Sequence, residues 1–107
     1  MDVQIRRAEA ADAPSIADVL RSPGLSPRIR EEAREVTLAR VTTNLARCAE
    51  DDSHLVLVAE APGGVIAGYG AVHWLPYLIL TGGEGYVSEL FIGDDFRGQG
   101  IGGRLLD

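Results

Sequence analysis

The sequence contains no lysine and a single cysteine, Cys48, among its 107 residues. All ten basic residues are arginine, which we interpret as coding bias without structural meaning. One cysteine excludes an internal disulfide, and a small buried core residue is the expected role of Cys48, with a reactive thiol as the alternative. The sequence also has no apolar run of membrane-spanning length and no secretory-type apolar stretch near its start. We therefore expect a cytoplasmic protein without a membrane partner.

Basic residues are fewer than acidic ones, with ten against sixteen, so the formal net charge is −6. A nucleic-acid binder needs a basic face that displaces counterions from phosphates, so the net charge argues against that class of partner. The two histidines, His54 and His73, are widely separated along the sequence and no other residues have ligand spacing, so we expect no metal site. With 46% hydrophobic and 24% charged residues, the composition is that of a globular protein. Residues 1–107 are expected to form a single domain, or part of one.

The first fifty residues predict a strand followed by two helices. Val3 and Ile5 alternate with polar residues, as in a short strand. Asp12 is placed to cap the next helix, which has a proline in its first turn. Ser26 can cap a second helix that continues to about Cys48. The apolar side chains expected to be buried on this second helix are Ile29, Ala33, Val36, Leu38, Val41 and Leu45.

The middle of the chain predicts an antiparallel hairpin and a further strand. Leu55 to Glu60 and Val65 to Trp74 are apolar runs of strand length, separated by a Pro-Gly-Gly turn. Residues 61–83 contain no Asp, Glu or Arg, so this segment should lie in the interior of the sheet. Tyr86 to Ile92 is rich in aromatic and β-branched residues and predicts the next strand.

A glycine-rich turn follows that strand and leads into the start of a helix. The glycines lie at positions 98, 100, 102 and 103. Helix starts have free backbone N–H groups and the positive end of the helix dipole, so they bind anions such as phosphates. Gly98-x-Gly100-x-x-Gly103 fits the dinucleotide pattern, but that pattern needs an acidic ribose ligand about 20 residues later, which the sequence does not contain. Arg97-x-x-Gly100-x-Gly102, following Leu90-Phe91-Ile92, is the second frame.

In the second frame, residues 85–107 (GYVSELFIGDDFRGQGIGGRLLD) resemble the acetyl-CoA-binding motif of the GNAT superfamily of N-acetyltransferases. Residues 5–20 (IRRAEAADAPSIADVL) are similar to the opening strand and helix of the same superfamily. The resemblance implies an α+β fold with a mixed, mainly antiparallel sheet flanked by helices, in the order β-α-α-β-β-β-α. It also implies acetyl-CoA as co-substrate, no metal, and direct transfer of the acetyl group to a primary amine.

The resemblance assigns cofactor-binding roles by position. The backbone of Leu90, Phe91 and Ile92 would pair with the pantetheine arm. The diphosphate would be held by backbone N–H groups of Arg97, Gly98, Gln99, Gly100, Ile101, Gly102 and Gly103. Arg97 and Arg104 would add positive charge to an otherwise acidic protein.

Glu89 is the candidate general base, because it lies on the cofactor-binding strand next to Leu90 in an apolar stretch of sequence, where we expect its carboxylate to be desolvated. Glu84 is the fallback. Alternation along a strand leaves open whether Glu89 faces the cleft or the outer surface. Less favoured candidates for proton transfer are Tyr69, Tyr77, Tyr86, His54 and His73, since strand aromatics usually pack and both histidines are ambiguous.

The chain ends within an amphipathic pattern at Asp107, whereas the resemblance implies further strands, a helix and a proton-donating tyrosine after it. We therefore expect the sequence to be truncated after the cofactor-binding helix begins. If it is complete, a second copy would have to supply the missing elements for catalysis, and a homodimer is a further expectation. The alternative is a non-catalytic acyl-CoA-binding or dimerisation module.

The sequence does not identify the acceptor, which could be a small-molecule amine, an antibiotic amine, or a protein N-terminus or lysine. The acidic net charge favours a cationic small molecule.

Overall fold

A computed structural model describes residues 3–23, 25, 27–50, 54–76 and 83–106. The chain has an α+β fold in which one antiparallel sheet is flanked by helices. The strands are β1 (Gln4–Arg7), β2 (His54–Ala61), β3 (Val65–Pro76) and β4 (Gly83–Ile92). The helices are α1 (Ala13–Leu20), α2 (Pro27–Glu31), α3 (Arg34–Cys48) and α4 (Ile101–Leu106). The predicted fold class is confirmed, and the element order differs only in that the predicted second helix is divided into α2 and α3.

The four strands follow one another in the sheet in the order β1-β2-β3-β4, and each pair is antiparallel. The predicted hairpin is present, and β3 lies between β2 and β4, as its lack of charge indicated. Strand β4 begins at Gly83, earlier than the predicted Tyr86. Ser26 and Tyr77 lie outside the described residues, as do the side chains of Glu84 and Tyr86. No helix within the described ranges is long and apolar enough to cross a bilayer.

Each face of the sheet carries its own apolar cluster, because successive strand residues point to opposite faces. The first face packs against α1 and α3, and we call it the α1/α3 face. Its buried residues are Ala13, Ile16, Ala17, Val19, Leu20, Val41, Val58, Ile66 and Tyr69. The second face packs against α4, and we call it the α4 face. Its buried residues are Val3, Ala59, Ala61, Ala67, Ile101 and Leu105.

The continuous helix predicted up to Cys48 is wrong, because the chain leaves the helical conformation between α2 and α3. Ala33 is extended there, with φ −64° and ψ 143°. Arg21, at the end of α1, donates from Nη1 to the backbone carbonyls of Ile29 at 3.1 Å and Glu32 at 2.7 Å. A continuous helix would use those carbonyls for its own N–H groups four residues later. The break is therefore supported by a side chain from another helix.

The break also changes which side of α3 is buried. Ala33 and Val36 were predicted to be buried, but both are exposed, and Val36 is 51% exposed. Thr37 is fully buried instead, and its hydroxyl donates to the Glu32 carboxylate at 2.7 Å. Val41 is buried as predicted. Cys48, predicted to be a buried core residue, is only partly buried.

Asp12 precedes α1 as predicted, but its carboxylate does not cap that helix. It accepts hydrogen bonds from the Arg6 guanidinium at 2.8 and 2.9 Å and from the Glu9 N–H at 2.7 Å. Arg6 also donates from Nε to Glu60 at 2.8 Å. Hydrogen bonding from Arg6, and then from the Glu9 N–H, holds the pKa of Asp12 below its ordinary value despite burial. Asp12 thus joins β1 to the start of α1 on the α1/α3 face.

Candidate functional site

Strand β4 divides its side chains between the two faces of the sheet. Phe91 packs against the α1/α3 cluster, whereas Leu90 and Ile92 pack against the α4 cluster. Glu89 therefore lies on the α1/α3 face, which settles the alternation that the sequence left open. The backbone that was predicted to bind the pantetheine arm runs between these two faces.

Glu89 lines a cavity of about 120 Å³ between the sheet and two helices. Strands β2 and β3 and helices α1 and α3 complete the wall. The other lining residues are Ile16, Leu20, Arg40, Val41, Asn44, Leu45, Cys48, Val56, Tyr69, Ala71 and His73. The wall is therefore mainly apolar, with a few polar groups around one carboxylate, as is common in small-molecule sites.

The Glu89 carboxylate accepts a hydrogen bond from the Tyr69 hydroxyl at 2.9 Å. Tyr69 is only 3% exposed. Burial, and then the charge and hydrogen bond of Glu89, raise the pKa of Tyr69 well above its ordinary value. The phenol therefore stays protonated and continues to donate to Glu89. Glu89 itself is exposed, so the expectation that it sits desolvated in an apolar setting is wrong.

Arg40 is the cationic group in the cavity wall, and it is already paired. Its guanidinium donates to the Glu32 carboxylate, which also accepts the Thr37 hydroxyl. Hydrogen bonding from Arg40, and then from Thr37, lowers the pKa of Glu32 to about 2. The pair places little net positive charge near Glu89.

Two histidines meet on the same side of the sheet, which the sequence did not indicate. His54 Nδ1 and His73 Nδ1 are 2.5 Å apart, and the rings form an edge-to-face contact. His73 Nε2 lies 2.6 Å from the hydroxyl of Ser88, which was not among the predicted site residues. The pairing arises because β2 and β3 come together in a register that places His54 directly opposite His73.

The glycine loop after β4 has an unusual backbone conformation. Gly98 and Gly100 have φ of +80° and +75°, a region that side chains with a Cβ rarely adopt. Within the described ranges, no backbone hydrogen bond is donated by the N–H groups of residues 98–103. A Cβ built at Gly98, Gly100 or Gly103 would meet no atom within 4 Å, so space in front of the loop is open. These free donors and this open space fit the diphosphate of a coenzyme A thioester.

The two arginines that were predicted to add charge differ in position. Arg97 donates from Nε to the Ile92 carbonyl at 3.1 Å and from Nη1 to Asp94 at 3.2 Å, so it braces the loop against the end of β4. Arg104 lines a separate hollow beside Val3, Glu60 and the hairpin turn. In the described part of the chain, no three His, Cys, Asp or Glu side chains gather as a metal site.

The family model for the GNAT acetyltransferases matches residues 15–107 of the chain. No curated protein matched the sequence. Among solved structures, a transcriptional regulator from Bacillus halodurans is 26% identical with a TM-score of 0.82, and the alignment covers 98% of this chain and 69% of that one.

Two further structures share the fold at lower identity. A ribosomal-protein-alanine N-acetyltransferase from Brucella melitensis is 22% identical with a TM-score of 0.70, covering 99% of this chain and 67% of that one. A PaiA N-acetyltransferase from Thermoplasma acidophilum, in complex with coenzyme A, is 19% identical with a TM-score of 0.72, covering 99% and 68%. The chain thus spans about two thirds of the length of these structures.

Proposed function

Because the chain belongs to the GNAT family of acetyltransferases, we propose that it transfers an acetyl group from acetyl-CoA directly to a primary amine. The observation that carries the proposal is the arrangement along β4. The strand leads into the glycine loop, where the N–H groups of residues 98–103 donate no backbone hydrogen bond within the described part of the chain. Three residues before the end of the strand, Glu89 enters a cavity large enough for a small amine. One strand thereby connects a candidate diphosphate site to a candidate base.

Acetyl-CoA supplies an activated acyl group and a thiol leaving group, and the protein residues bind and position it. The N–H groups of residues 98–103 would hold the diphosphate, since within the described residues they make no backbone hydrogen bonds. The edge of β4 would pair with the pantetheine arm through the backbone of Leu90, Phe91 and Ile92. Arg97 would contribute positive charge to the loop, partly offset by Asp94.

Glu89 is the proposed general base. An amine reaches the site mainly as its ammonium ion and must lose a proton before its nitrogen can attack. The hydrogen bond from Tyr69 fixes one carboxylate oxygen, which leaves the other to accept that proton. Because Glu89 is exposed, it can pass the proton on to water.

A small cationic amine is the proposed acceptor class. A cavity of about 120 Å³ corresponds to roughly four water molecules by their liquid volume, the size of a short amine or the end of a longer one. The mainly apolar wall suits an aliphatic stem, and the unpaired charge in it belongs to Glu89. The net charge of −6 also favours a cation over an anion.

Calorimetric titration with acetyl-CoA, using NADH as the control ligand, tests the cofactor, and release of free thiol with a panel of primary amines tests the transfer. We expect acetyl-CoA to bind and NADH not to bind, followed by thiol release with short cationic amines. Equal binding of the two ligands would contradict the cofactor assignment. Binding of acetyl-CoA without transfer to any amine would favour a non-catalytic acyl-CoA-binding module.

A further inference from the structure

The residue that neutralises Arg40 does not belong to the cavity that Arg40 lines. Arg40 and Glu89 both lie in the described wall of the cavity, whereas Glu32 does not. The Arg40 guanidinium donates from Nη1 to Glu32 Oε2 at 3.2 Å and from Nη2 to Glu32 Oε1 at 2.5 Å. A two-point contact between a planar guanidinium and a carboxylate fixes orientation as well as distance. The charge of Arg40 is therefore paired from outside the cavity.

Glu32 is itself held in place by two contacts within the fold. Its backbone carbonyl accepts a hydrogen bond from Arg21 Nη1 at 2.7 Å, at the break between α2 and α3. Its carboxylate Oε1 accepts the hydroxyl of the fully buried Thr37 at 2.7 Å. Since hydrogen bonds from Arg40 and then from Thr37 lower the pKa of Glu32 to about 2, this carboxylate stays ionised at neutral pH.

Glu89 has a neutral partner, in contrast to Glu32. Its carboxylate accepts the Tyr69 hydroxyl, and no ion pair between described residues includes it. His73 is the other lining group that can carry a positive charge, and its two ring nitrogens already contact His54 and Ser88. The negative charge of Glu89 is thus available to a ligand, whereas the positive charge of Arg40 is not.

An acceptor inside this cavity is sensitive to the charges in its wall. A sphere of about 120 Å³ is about 6 Å across, shorter than the screening length of about 8 Å in physiological salt. The ammonium end of an acceptor is attracted to Glu89. A carboxylate on the same molecule would lie against a mainly apolar wall near Glu89, with Arg40 already paired, and burial of an unpaired charge is unfavourable.

We propose that Glu32 determines acceptor specificity by keeping Arg40 neutralised, so that the site takes primary amines whose other end is uncharged and rejects amines that carry a carboxylate. This inference rests on the proposed function. Glu32 is a positioning residue, because it acts through Arg40. Asn44, one turn after Arg40 on α3, lines the same cavity, and its neutral amide can bond to an uncharged oxygen of the acceptor.

Two amines that differ in charge but hardly in shape test the specificity. β-Alaninamide and β-alanine have the same amino group and stem, and they end in an amide and a carboxylate, respectively. Each is measured as an acceptor, by release of thiol from acetyl-CoA, and as a competitor of the most responsive amine. We expect the unchanged protein to favour β-alaninamide by about tenfold or more in both measurements. Equal values for the two amines would overturn the inference.

Glu32→Gln should weaken this preference, because it releases the charge of Arg40. The glutamine keeps an oxygen that can accept the Thr37 hydroxyl. The released guanidinium would attract a carboxylate and repel an ammonium ion, so we expect the preference for β-alaninamide to fall about tenfold, mainly through KM. The ratio between the two amines is the readout, since a loss of stability or of acetyl-CoA binding would lower both rates equally. An unchanged ratio would overturn the inference.

The double variant Glu32→Gln/Arg40→Gln separates the effect of charge from that of structure. Removing the guanidinium as well should return the preference to within about twofold of that of the unchanged protein, so the two substitutions are expected to be strongly non-additive. If Glu32 served only to support the helix break, the double variant would keep the defect of Glu32→Gln or increase it. A preference that stays low in the double variant would therefore overturn the inference.

Asp18→Asn is the matched control for Glu32→Gln. It removes the carboxylate that pairs with Arg34 at 3.1 Å, near the start of α3, and neither member of that pair lines the cavity. We expect its preference between the two amines to equal that of the unchanged protein. A shift as large as that of Glu32→Gln would show that loss of any ion pair on α3 alters the preference, which would contradict the specific role of Glu32.

The outcomes separate this inference from the proposed function. Acetyl transfer that does not distinguish the two amines would overturn the role of Glu32 and leave the acetyltransferase proposal standing. Failure of the unchanged chain to bind acetyl-CoA or to acetylate any amine would contradict the proposed function and, with it, the specificity that Glu32 serves.

Discussion

The two faces of the sheet differ in what their clusters are made of. On the α1/α3 face, polar groups interrupt the apolar packing, and Tyr69 and Glu89 form a hydrogen bond at the edge of a cavity. On the α4 face, the packing is purely apolar where Leu90, Ile92 and Ile101 meet. Both faces draw on β4, because its alternate residues point in opposite directions. In the proposed function, the α1/α3 face carries the chemistry and the α4 face anchors the loop.

Replacing Glu89 by glutamine should give the largest effect, because it removes the proposed base from the α1/α3 face and leaves the α4 face intact. We expect kcat to fall about 100-fold, equivalent to about 2.7 kcal/mol of transition-state stabilisation. The affinity for acetyl-CoA, measured by calorimetry, should change little. Glu35→Gln, on the exposed side of α3, is the matched control. An unchanged kcat in the Glu89 variant would exclude the base role.

Replacing Gly68 by alanine should break the contact between β3 and β4 on the α4 face. The new Cβ would lie 2.7 Å from the Phe91 carbonyl oxygen, which is part of the backbone and cannot move aside. We expect the free energy of unfolding to fall by about 2 kcal/mol, measured by urea denaturation.

Gly85→Ala is the matched control for that substitution. Its Cβ would lie 2.5 Å from the Trp74 ring, but Trp74 is 47% exposed, so the ring can shift. We expect the free energy of unfolding to fall by less than about 1 kcal/mol. Equal losses in the two variants would show that the close strand approach at Gly68 is not a special feature of the α4 face.

The strands were predictable because their signals are local. The Pro-Gly-Gly turn and the flanking apolar runs define the hairpin, and the uncharged segment between Ala61 and Gly83 indicates an interior strand. The division of the predicted second helix into α2 and α3 could not be predicted from local signals. It depends on the Arg21 side chain, which reaches carbonyls eight and eleven residues along the chain.

In the candidate site, too, the features that depend on long-range contacts were not predictable from the sequence. The glycine loop and Glu89 were visible in the sequence, but the contact of His54 with His73 was not. Ala61 pairs with Val65, so a regular hairpin would place His54 opposite Val72. The register shift at Ala59 and Glu60 brings His73 into that position instead. A one-residue shift reverses which face a side chain occupies, and nothing local in the sequence predicts it.

Replacing Asp12 by asparagine should weaken the α1/α3 face away from the cavity. The carboxylate is nearly buried and accepts charge-assisted hydrogen bonds from Arg6. We therefore expect the free energy of unfolding to fall by about 1.5 kcal/mol at neutral pH. Since the folded pKa of Asp12 is lowered, its contribution is present above the ordinary value of 3.8 and is lost as pH falls through the folded pKa. Urea denaturation of both proteins from pH 7 to pH 3 should therefore show the difference shrinking below about pH 4. A difference that stays constant with pH would contradict the pairing of Asp12 with Arg6.

Replacing Gly100 by alanine should give the smallest effect and tests how the α4 face supports the loop. The new Cβ would meet no atom within 4 Å, so the cost comes from the φ of +75°, about 1 kcal/mol of backbone strain. We expect a loss of stability of that size and about a fivefold weaker affinity for acetyl-CoA in calorimetry.

Gly103→Ala is the control for this substitution, since its Cβ also enters open space but its backbone is helical. Weaker binding in Gly100→Ala alone would show that the loop conformation matters, and equal weakening in both variants would show that access to the N–H groups matters. Full affinity in both would remove the diphosphate from this loop, because either a distorted backbone or a methyl group in its path must disturb an anion held by these donors.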